Sequence, residues 1–513
     1  MATTSNRLIF RWRNDFVKAM ENFRSDMPPE EWADVYIPQG HLKALHPQSM
    51  LIEGMRGSGK SFWSRVFTQP HLRHALSQSA IDGWLKDELA LITDCKGILW
   101  DKTDNSTSLP NKASVKNWLD SSSFDPMLFW AVIVLCQFPI DDALGMPEGD
   151  IYDKWTARIQ WAQVNPERVM SALHLCNEKQ SSKAEQILVV IDGFDVVSTK
   201  FSHTQALMRG IFQLLLEFRY AKGLRFKVFV REDILKASET AVSDASKLIN
   251  EKVTLDWKPS DLFGLVFHFL AQQSSYFRNR FEIETGQKFK RYAAGTSSRF
   301  EHPSLTTVET QEKMWKWLAG PFMGSTPTKG HTYSWIIKHL EDGKSRISPR
   351  TFLNAVKVSL EETASNSKYS EHSLVIHHEA IREGVRRASQ DRVEELNDEY
   401  LWVHKALGIL KLKSKTVPIN WSELLAVWKE GNKQFQDVIS VVEKTAEQTL
   451  IPWDMDVNLS LDDKAIHLLE TMINIGVFQL RERQNVKRVD LPDIYRLGYR
   501  IGRNGGIAVQ KKK

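Results

Sequence analysis

The sequence predicts an α/β chain in which a parallel sheet is followed by a helical region and a small C-terminal domain. Up to about residue 250, short apolar runs alternate with helical patterns, an order typical of parallel sheets with crossover helices. A glycine-rich turn joins the first apolar run to a helix. Beyond residue 250 the apolar spacing is helical, and strand signals return only near the C-terminus.

Each strand of the expected core is a short apolar run. Ser49–Glu53 enters the glycine-rich turn, and a helix follows at Lys60–Phe67. Gln186–Ile191 and Phe226–Val230 are continuous apolar runs, as expected for strands that are buried on both faces. The polar stretch Cys95–Ser123 predicts a loop or insertion. Further helices are expected at 127–138, 151–177, 205–219, 259–275, 310–319, 332–342 and 349–363.

The C-terminal part has the pattern of a winged helix. It begins after a charged stretch at 364–395. Three helical patterns follow, at 396–412, 420–431 and 461–475. Val477–Leu480 and Arg488–Leu491 are two short runs across a polar loop, and they could pair as a hairpin. Three helices with a two-stranded wing make up the expected domain.

The composition is that of a globular protein with several domains. The chain has 513 residues, of which 42% are hydrophobic and 26% charged, values that exclude a collagen-like or wholly disordered protein. At about 150 residues per domain, this length indicates about three domains. The net charge of +5 does not by itself indicate a nucleic-acid partner. From residue 478 onwards, however, ten basic residues outnumber three acids, so this stretch carries +7.

Cysteine usage and hydropathy favour a cytoplasmic protein. The three cysteines show no CxxC pairing, which argues against a disulfide framework or a zinc site. The N-terminus lacks the apolar stretch of a signal peptide. The longest apolar run, Met127–Cys136, is about half the length of a membrane span, so we expect a buried helix there and no membrane segment.

The segment Gly54–Ser61 fits the phosphate-loop pattern G-x-x-x-x-G-K-[ST] at every fixed position. Its glycines allow the backbone amides to curl around an anion, and the N-terminus of the following helix adds to that attraction. Lys60 is expected to reach the β- and γ-phosphates, and Ser61 to place a hydroxyl on Mg²⁺. The expected nucleotide-binding residues are Gly54, Gly57, Ser58, Gly59, Lys60, Ser61 and Phe62. The alternative, a chance glycine-rich turn, fits poorly with the strand before it and the helix after it.

Asp192 ends the apolar run that begins at Gln186, so it is expected at the carboxyl edge of the sheet, where open α/β sheets bind ligands. There it would hold Mg²⁺ together with Ser61, directly or through water. Asp195 follows three residues later. It could polarise the attacking water or support Asp192, or it could simply cap the next turn.

Two arginines are candidates for contact with the γ-phosphate. Arg231 ends the run Phe226–Val230, which places it at the same sheet edge, where it could stabilise transition-state charge. The alternative for Arg231 is a salt bridge with Glu232 or Asp233. Arg350 falls in the first turn of an expected helix, where the helix dipole disfavours a cation that has no anion to meet. The alternative for Arg350 is an ordinary exposed side chain.

The order of these motifs resembles the STAND class of P-loop ATPases, a signal-transducing branch close to AAA+ proteins. Gly193 and then Asp195 after the metal-binding acid are similar to the NACHT variant of that class. Val196 stands where that variant usually carries a further acid, so the catalytic base stays open. Arg231 matches the sensor-one position. Arg350 resembles the sensor-two arginine of AAA+ lids, although Pro349 replaces a usual small residue.

The C-terminal stretch 488–503 also looks like the tail of bacterial stand-alone P-loop ATPases, relatives of which occur among antiviral defence genes. The resemblance implies a P-loop NTPase core, a helical lid and a winged-helix-like domain. It also implies ATP, Mg²⁺ and a partner effector protein. A neighbouring subunit of a homo-oligomer could supply an arginine finger, for which Arg209 and Arg219 are equal candidates. The absence of an N-K-x-D motif favours ATP over GTP.

These observations divide the chain into four expected regions. They are a helical lead-in at 1–45, a P-loop ATPase core at 46–250, a helical lid at 251–370, and a winged-helix-like domain with a basic tail at 390–513. The leading hypothesis is an ATP-hydrolysing switch that controls an effector. One alternative is a DNA-binding AAA+-like loader that uses the basic C-terminal region. The other is a scaffold that binds nucleotide without hydrolysing it.

A second basic cluster, at Tyr276–Arg280 and Lys288–Tyr292, could stack on single-stranded bases. Its aromatic residues are better interpreted as core anchors on a charged helix.

Overall fold

The core of the protein is a five-stranded parallel sheet. Its strands are β1 (Leu51–Gly54), β2 (Ile92–Leu99), β3 (Gln186–Asp192), β4 (Leu224–Arg231) and β5 (Val253–Thr254), in the order β2-β3-β4-β1-β5. The computed structural model describes residues 2–21, 29–78, 83–100, 109–121, 124–139, 142–149, 154–197, 200–238, 244–294, 297–369, 372–445, 458–483 and 486–503. The predicted strands β1, β3 and β4 are adjacent at the centre of this sheet.

The register brings the carboxyl ends of the central strands to one edge. Gly54, the last residue of β1, pairs with Arg231, the last residue of β4. Asp192, the last residue of β3, pairs with Leu99 of β2. Residues that follow these strands therefore meet at the edge where ligands bind in sheets of this kind.

Helices cover both faces of the sheet. The α-helices of this part are Leu42–Leu45, Lys60–Thr68, Pro70–Gln78, Gly83–Ala90, Lys112–Leu119, Pro126–Leu135, Lys154–Val164, Pro166–Ser181, Phe201–Glu217, Glu232–Ser238 and Ala245–Ile249. Pro126–Leu135 is buried on almost every side, as its unbroken apolar sequence predicts. Asp125 begins this helix, because its carboxylate accepts from the amides of Met127 (2.8 Å) and Leu128 (3.2 Å).

The prediction of a loop at Cys95–Ser123 is wrong in part. Strand β2 runs through Leu99, and residues 112–119 form a helix whose first turn is capped by Asn111, the acceptor from the Ser114 amide (2.8 Å). Strand β2 lies at the sheet edge and is only partly buried, so its sequence lacks the continuous apolar run of β3. Residues 101–108 lie outside the described part of the chain.

The helical lid packs as one apolar core together with the N-terminal helix. Its α-helices are Ala2–Glu21, Pro259–Gln273, Ser275–Thr285, Val308–Ala319, Thr332–Leu340 and Pro349–Ser365. A hairpin that the sequence did not predict joins Lys290–Ala294 to Ser297–Glu301. Arg13, buried on the N-terminal helix, donates to the carbonyl of Leu374 (2.5 Å) and so fixes that helix to the segment that follows the lid.

The C-terminal region forms a helical domain with a three-stranded antiparallel sheet. Its α-helices are His378–Glu399, Leu401–Leu412, Trp421–Glu430, Asn432–Thr445, Leu461–Asn474 and Asp493–Tyr499. The sheet joins Gln479–Arg483, Val486–Asp490 and Ile419–Asn420. A two-stranded parallel pair joins Thr416–Val417 to Gly502–Arg503. The predicted wing hairpin is present, and the predicted fold class is confirmed.

The charged stretch 364–395 is mostly helical, which the sequence pattern did not predict. Its apolar residues recur at helical spacing and are buried, among them Ile381 and Val385. Charged neighbours pair along the exposed face, as Arg386 does with Glu383 (3.1 Å). The helix predicted at 396–412 is divided at Tyr400, the non-helical residue between the helices His378–Glu399 and Leu401–Leu412.

The remaining helical turns are short 3-10 segments. They are Trp32–Asp34, Gln39–His41, Asp142–Leu144, Phe194–Val196, Pro303–Thr306 and Pro327–Lys329. Among the helices described, none combines the length and the apolar character that a bilayer crossing requires.

Candidate functional site

The glycine-rich loop between β1 and the helix Lys60–Thr68 is shaped by its glycines. Gly57 (φ +77°) and Gly59 (φ +102°) adopt the left-handed conformation that residues with a side chain rarely adopt. A Cβ atom on Gly54 would lie 2.3 Å from the Ser58 Oγ atom, because the loop closes tightly on itself. The glycines of the motif are therefore required by the backbone geometry seen here.

The loop is suited to an anionic ligand. A Cβ atom on Gly59 would meet nothing within 4 Å, so the loop is open on that side. The Ser58 hydroxyl is buried and has no hydrogen-bond partner within the described part of the chain. The Lys60 ammonium donates to the loop carbonyls of Gly54 (2.7 Å) and Met55 (2.9 Å). These features provide space and a cation for a phosphate group.

Burial lowers the pKa of Lys60 to about 8, and the nearby Arg231 cation acts in the same direction. Asp195 and Asp192 oppose this change. The side chains of β3, β4 and the loop are thus close enough to influence one another electrostatically. Phe62, in the helix Lys60–Thr68, packs edge-on against the Trp63 ring, with 5.4 Å between the two ring centroids.

Asp192 and Ser61 meet at the end of β3. Asp192 is only 8% exposed, and burial raises its pKa to about 6. Hydrogen bonds from the Ser61 and Ser64 hydroxyls act against this rise, with Ser64 Oγ lying 3.0 Å from Asp192 Oδ2. A hydroxyl and a carboxylate are hard oxygen ligands of the kind that Mg²⁺ prefers. No group of three or more His, Cys, Asp or Glu side chains in the described ranges could hold a metal.

Gly193 turns the chain so that Asp195 faces the site. Gly193 has a φ of +78°, and a Cβ atom at this position would lie 2.2 Å from the Trp100 carbonyl oxygen. Only glycine therefore fits at position 193 without strain. Asp195 Oδ2 lies 3.9 Å from Arg231 Nη1. Asp195 caps no helix or turn among the residues that the structure describes.

Arg231 lies at the predicted sheet edge and also has the predicted acidic partner. It donates twice to Asp233, from Nε (3.1 Å) and from Nη2 (2.6 Å). A second carboxylate, Glu399, lies 3.3 Å from Nη1. Because these carboxylates stabilise the cation, the pKa of Arg231 is above its ordinary value despite its burial. The other expected partner, Glu232, pairs instead with Lys344 (3.1 Å).

The lid reaches the loop through the N-terminus of the helix Pro349–Ser365. Ser348 Oγ lies 3.4 Å from the carbonyl oxygen of Gly57 and donates to it. A Cβ atom on Gly57 would lie 3.5 Å from the Arg350 Cβ atom. The Cβ atom of Arg350 therefore lies beside the loop, and the Nη1 atom at the end of its side chain pairs with Glu395 (3.2 Å).

Three residues near the loop were not identified from the sequence. Trp257 donates from Nε1 to the Ser58 carbonyl (2.8 Å). Arg56, at a variable position of the motif, pairs with Glu399 (2.9 Å). No local sequence signal marks Glu399, since it lies just after the charged stretch 364–395 and 343 residues after Arg56.

The two candidate arginine fingers differ in their surroundings. Arg209 is exposed on the helix Phe201–Glu217. Arg219 pairs with Glu251 and lies before β4 begins, at the opposite end of that strand from Arg231. Among the described residues, neither arginine makes a hydrogen bond or an ion pair with the loop.

Comparisons with known proteins find distant similarity to solved structures only. No protein-family model matches the sequence, and the curated proteins give no match. The ORC2 protein of Aeropyrum pernix, solved in ADPNP–ADP complexes, has a TM-score of 0.42 and 12% identity over 91% of this chain and 92% of its own. Cdc6p from Pyrobaculum aerophilum has a TM-score of 0.30 and 11% identity over 91% of this chain and 96% of its own. At these values the comparisons assign no family, and the fold and the site rest on the geometry described above.

Proposed function

We propose that the chain binds ATP with Mg²⁺ at the glycine-rich loop and hydrolyses it, acting as a nucleotide-dependent switch. One observation carries the proposal. The Ser61 hydroxyl meets the Asp192 carboxylate beside a loop that presents Lys60 and an open side at Gly59. A hydroxyl, a carboxylate and an ammonium in this arrangement are what a magnesium-bound triphosphate requires.

Each residue has a defined task in this proposal. The loop amides and Lys60 hold the β- and γ-phosphates, and Ser61 and Asp192 hold Mg²⁺. The metal would neutralise charge that develops on the phosphates. Asp195 orients the attacking water and accepts its proton. Arg231 would contact the terminal phosphate from the sheet edge, and Arg350 would contact it from the lid.

The proposal also includes a partner. Through its resemblance to STAND proteins, the switch would act on a separate effector protein, in antiviral defence. Because the lid helix contacts the loop at Gly57, movement of the lid would carry the nucleotide state to such a partner.

An ATPase assay on the purified chain tests the proposal. We expect Mg²⁺-dependent phosphate release that is lost in Lys60→Ala and Asp192→Ala. Lys179→Ala, which changes an exposed lysine on the helix Pro166–Ser181, is the matched control and retains activity. Bound nucleotide without turnover would support the scaffold alternative, and no nucleotide binding would refute the proposal.

The wing supports DNA binding as a second candidate function. Lys487 and Arg488 are exposed on the strand Val486–Asp490, and the Arg481 side chain opposite is 56% exposed. Cations along such a hairpin can contact the phosphates of a duplex.

Part of the positive charge near the C-terminus is not available to DNA. Arg496 is fully buried and pairs with Asp493 (2.6 Å), and Arg503 pairs with Asp490 (2.5 Å). Residues 504–513, with the three terminal lysines, lie outside the described part of the chain. Among the residues that the structure describes, the exposed cations of this basic region are Arg481, Lys487, Arg488 and Arg500, and Arg481 also pairs with Asp490 (2.7 Å). Stimulation of ATP hydrolysis by duplex DNA would favour the DNA-binding candidate over the effector switch.

A further inference from the structure

The end of the helix His378–Glu399, here named the coupling helix, places two carboxylates against the arginines around the loop. Glu399 lies 2.9 Å from Arg56 and 3.3 Å from Arg231. Glu395, one turn earlier, lies 3.2 Å from Arg350. One helix end therefore engages a cation of the loop, a cation of the sheet edge and a cation of the lid.

Burial makes the Glu399 contacts strong. Its side chain is 7% exposed, and that of Arg231 is 15% exposed, so water screens the pair only weakly. Arg56, at 30%, is more open. A buried cation that loses its carboxylate needs another anion. The terminal phosphate of a triphosphate bound at the loop would be such an anion.

The coupling helix also holds the C-terminal domain. Ser389 Oγ donates to the Ile494 carbonyl (2.6 Å) and accepts from the Gly498 amide (2.8 Å). Tyr400, the residue that follows this helix, donates from its hydroxyl to Asp233 (2.6 Å), the carboxylate that also holds Arg231. A change at the end of this helix is thus connected by direct hydrogen bonds to the winged-helix-like domain.

We infer that Glu399, assisted by Glu395, is a positioning residue that lowers the affinity of the site for ATP relative to ADP. Glu399 holds Arg231 and Arg56 while the terminal phosphate is absent, and the γ-phosphate competes with it for these cations. Binding of ATP then separates the end of the coupling helix from the loop, and ADP leaves it in place. This inference rests on the proposed nucleotide site.

Equilibrium binding of fluorescent ATP and ADP analogues to the full chain tests the inference. We expect Glu399→Gln to bind the ATP analogue about tenfold more tightly, within the roughly 5- to 150-fold range of coupling between sites, and to change ADP binding much less. The matched control is Glu383→Gln on the same helix, more than four turns before Glu399, where Glu383 pairs at the surface with Arg386; it should leave both affinities unchanged. Equal gains for ATP and ADP, or weaker ATP binding, would overturn the inference.

A second measurement needs no substitution and so does not depend on folding of the variant. Hydrogen exchange of the backbone amides at 395–405 should become faster with a non-hydrolysable ATP analogue and stay unchanged with ADP. The same exchange with both nucleotides would overturn the inference alone, since the wild-type chain would still bind nucleotide. Failure of the wild-type chain to bind either nucleotide would refute the proposed function as well.

Discussion

Substitution of Asp192 by Asn should abolish ATP hydrolysis and at the same time stabilise the chain. Burial raises the pKa of Asp192 from an ordinary 3.8 to about 6, so the fold disfavours the ionised form. At about 1.4 kcal/mol for each pH unit, this difference destabilises the folded state by about 3 kcal/mol at pH 8. Asn is neutral and can still accept from Ser64 and Ser61, so it avoids this penalty.

The pH dependence gives the sign of the effect. Above about pH 6 the wild-type carboxylate is ionised in both states, and the gain from Asn is complete. Between about 6 and 3.8 the folded carboxyl takes up a proton before the unfolded one does, so the wild-type chain recovers stability and the gain declines to about 1.6 kcal/mol at pH 5. Below 3.8 both states are neutral and the gain disappears.

Guanidinium unfolding of wild type and Asp192→Asn at pH 8 and pH 5 measures these differences. Asp195→Asn is the control, because Asp195 is 24% exposed and its ion pair with Arg231 is long, at 3.9 Å. We expect it to change stability by less than about 1 kcal/mol. An Asp192→Asn variant that is no more stable than wild type at pH 8, or equally stabilised at both pH values, would show that the buried carboxylate is not under this electrostatic penalty.

Three further outcomes are expected. Lys60→Ala should weaken ATP binding by about 10- to 150-fold in a calorimetric titration, because a hydrogen bond to a charged group contributes about 1.5–3 kcal/mol; unchanged affinity would remove Lys60 from the site. Gly193→Ala should destabilise the fold by about 2 kcal/mol or more, measured by denaturant unfolding, because its Cβ atom would lie 2.2 Å from the Trp100 carbonyl oxygen; a neutral effect would contradict this turn. The double variant Lys487→Ala/Arg488→Ala should weaken duplex binding and reduce the slope of log affinity against log salt by about 2, and an unchanged slope would exclude the wing from DNA contact.

The sheet and the phosphate loop could be predicted because their signals are local. A strand that is buried on both faces is a continuous apolar run, as in β3, and the loop geometry demands glycine at positions such as 57 and 59. Edge strand β2 was missed because one-sided burial permits polar residues within it. The hairpin Lys290–Ala294 with Ser297–Glu301 was missed because its basic residues were interpreted as part of a helix.

The candidate site could be predicted only as far as it is built from strand ends. Asp192 and Arg231 follow apolar strands, so a parallel sheet alone places them at one edge. Arg350 required the additional argument that a cation in the first turn of a helix needs an anion nearby, and the structure shows one such anion in Glu395. That pairing supports the argument while leaving the expected phosphate contact to be tested.

Glu399 shows why the remaining contacts were beyond the reach of sequence patterns. Its partners, Arg56 and Arg231, are 343 and 168 residues away along the chain, and no spacing rule relates them. Charge patterns within a helix predict pairs three or four residues apart, such as Arg392 with Glu395 (3.0 Å), and these stabilise only the helix itself. A carboxylate that joins three parts of a chain can be recognised only after the fold has brought the parts together. In the proposed mechanism, the local motifs would define what the site binds, and the long-range ion pairs would determine which other parts of the molecule respond to it.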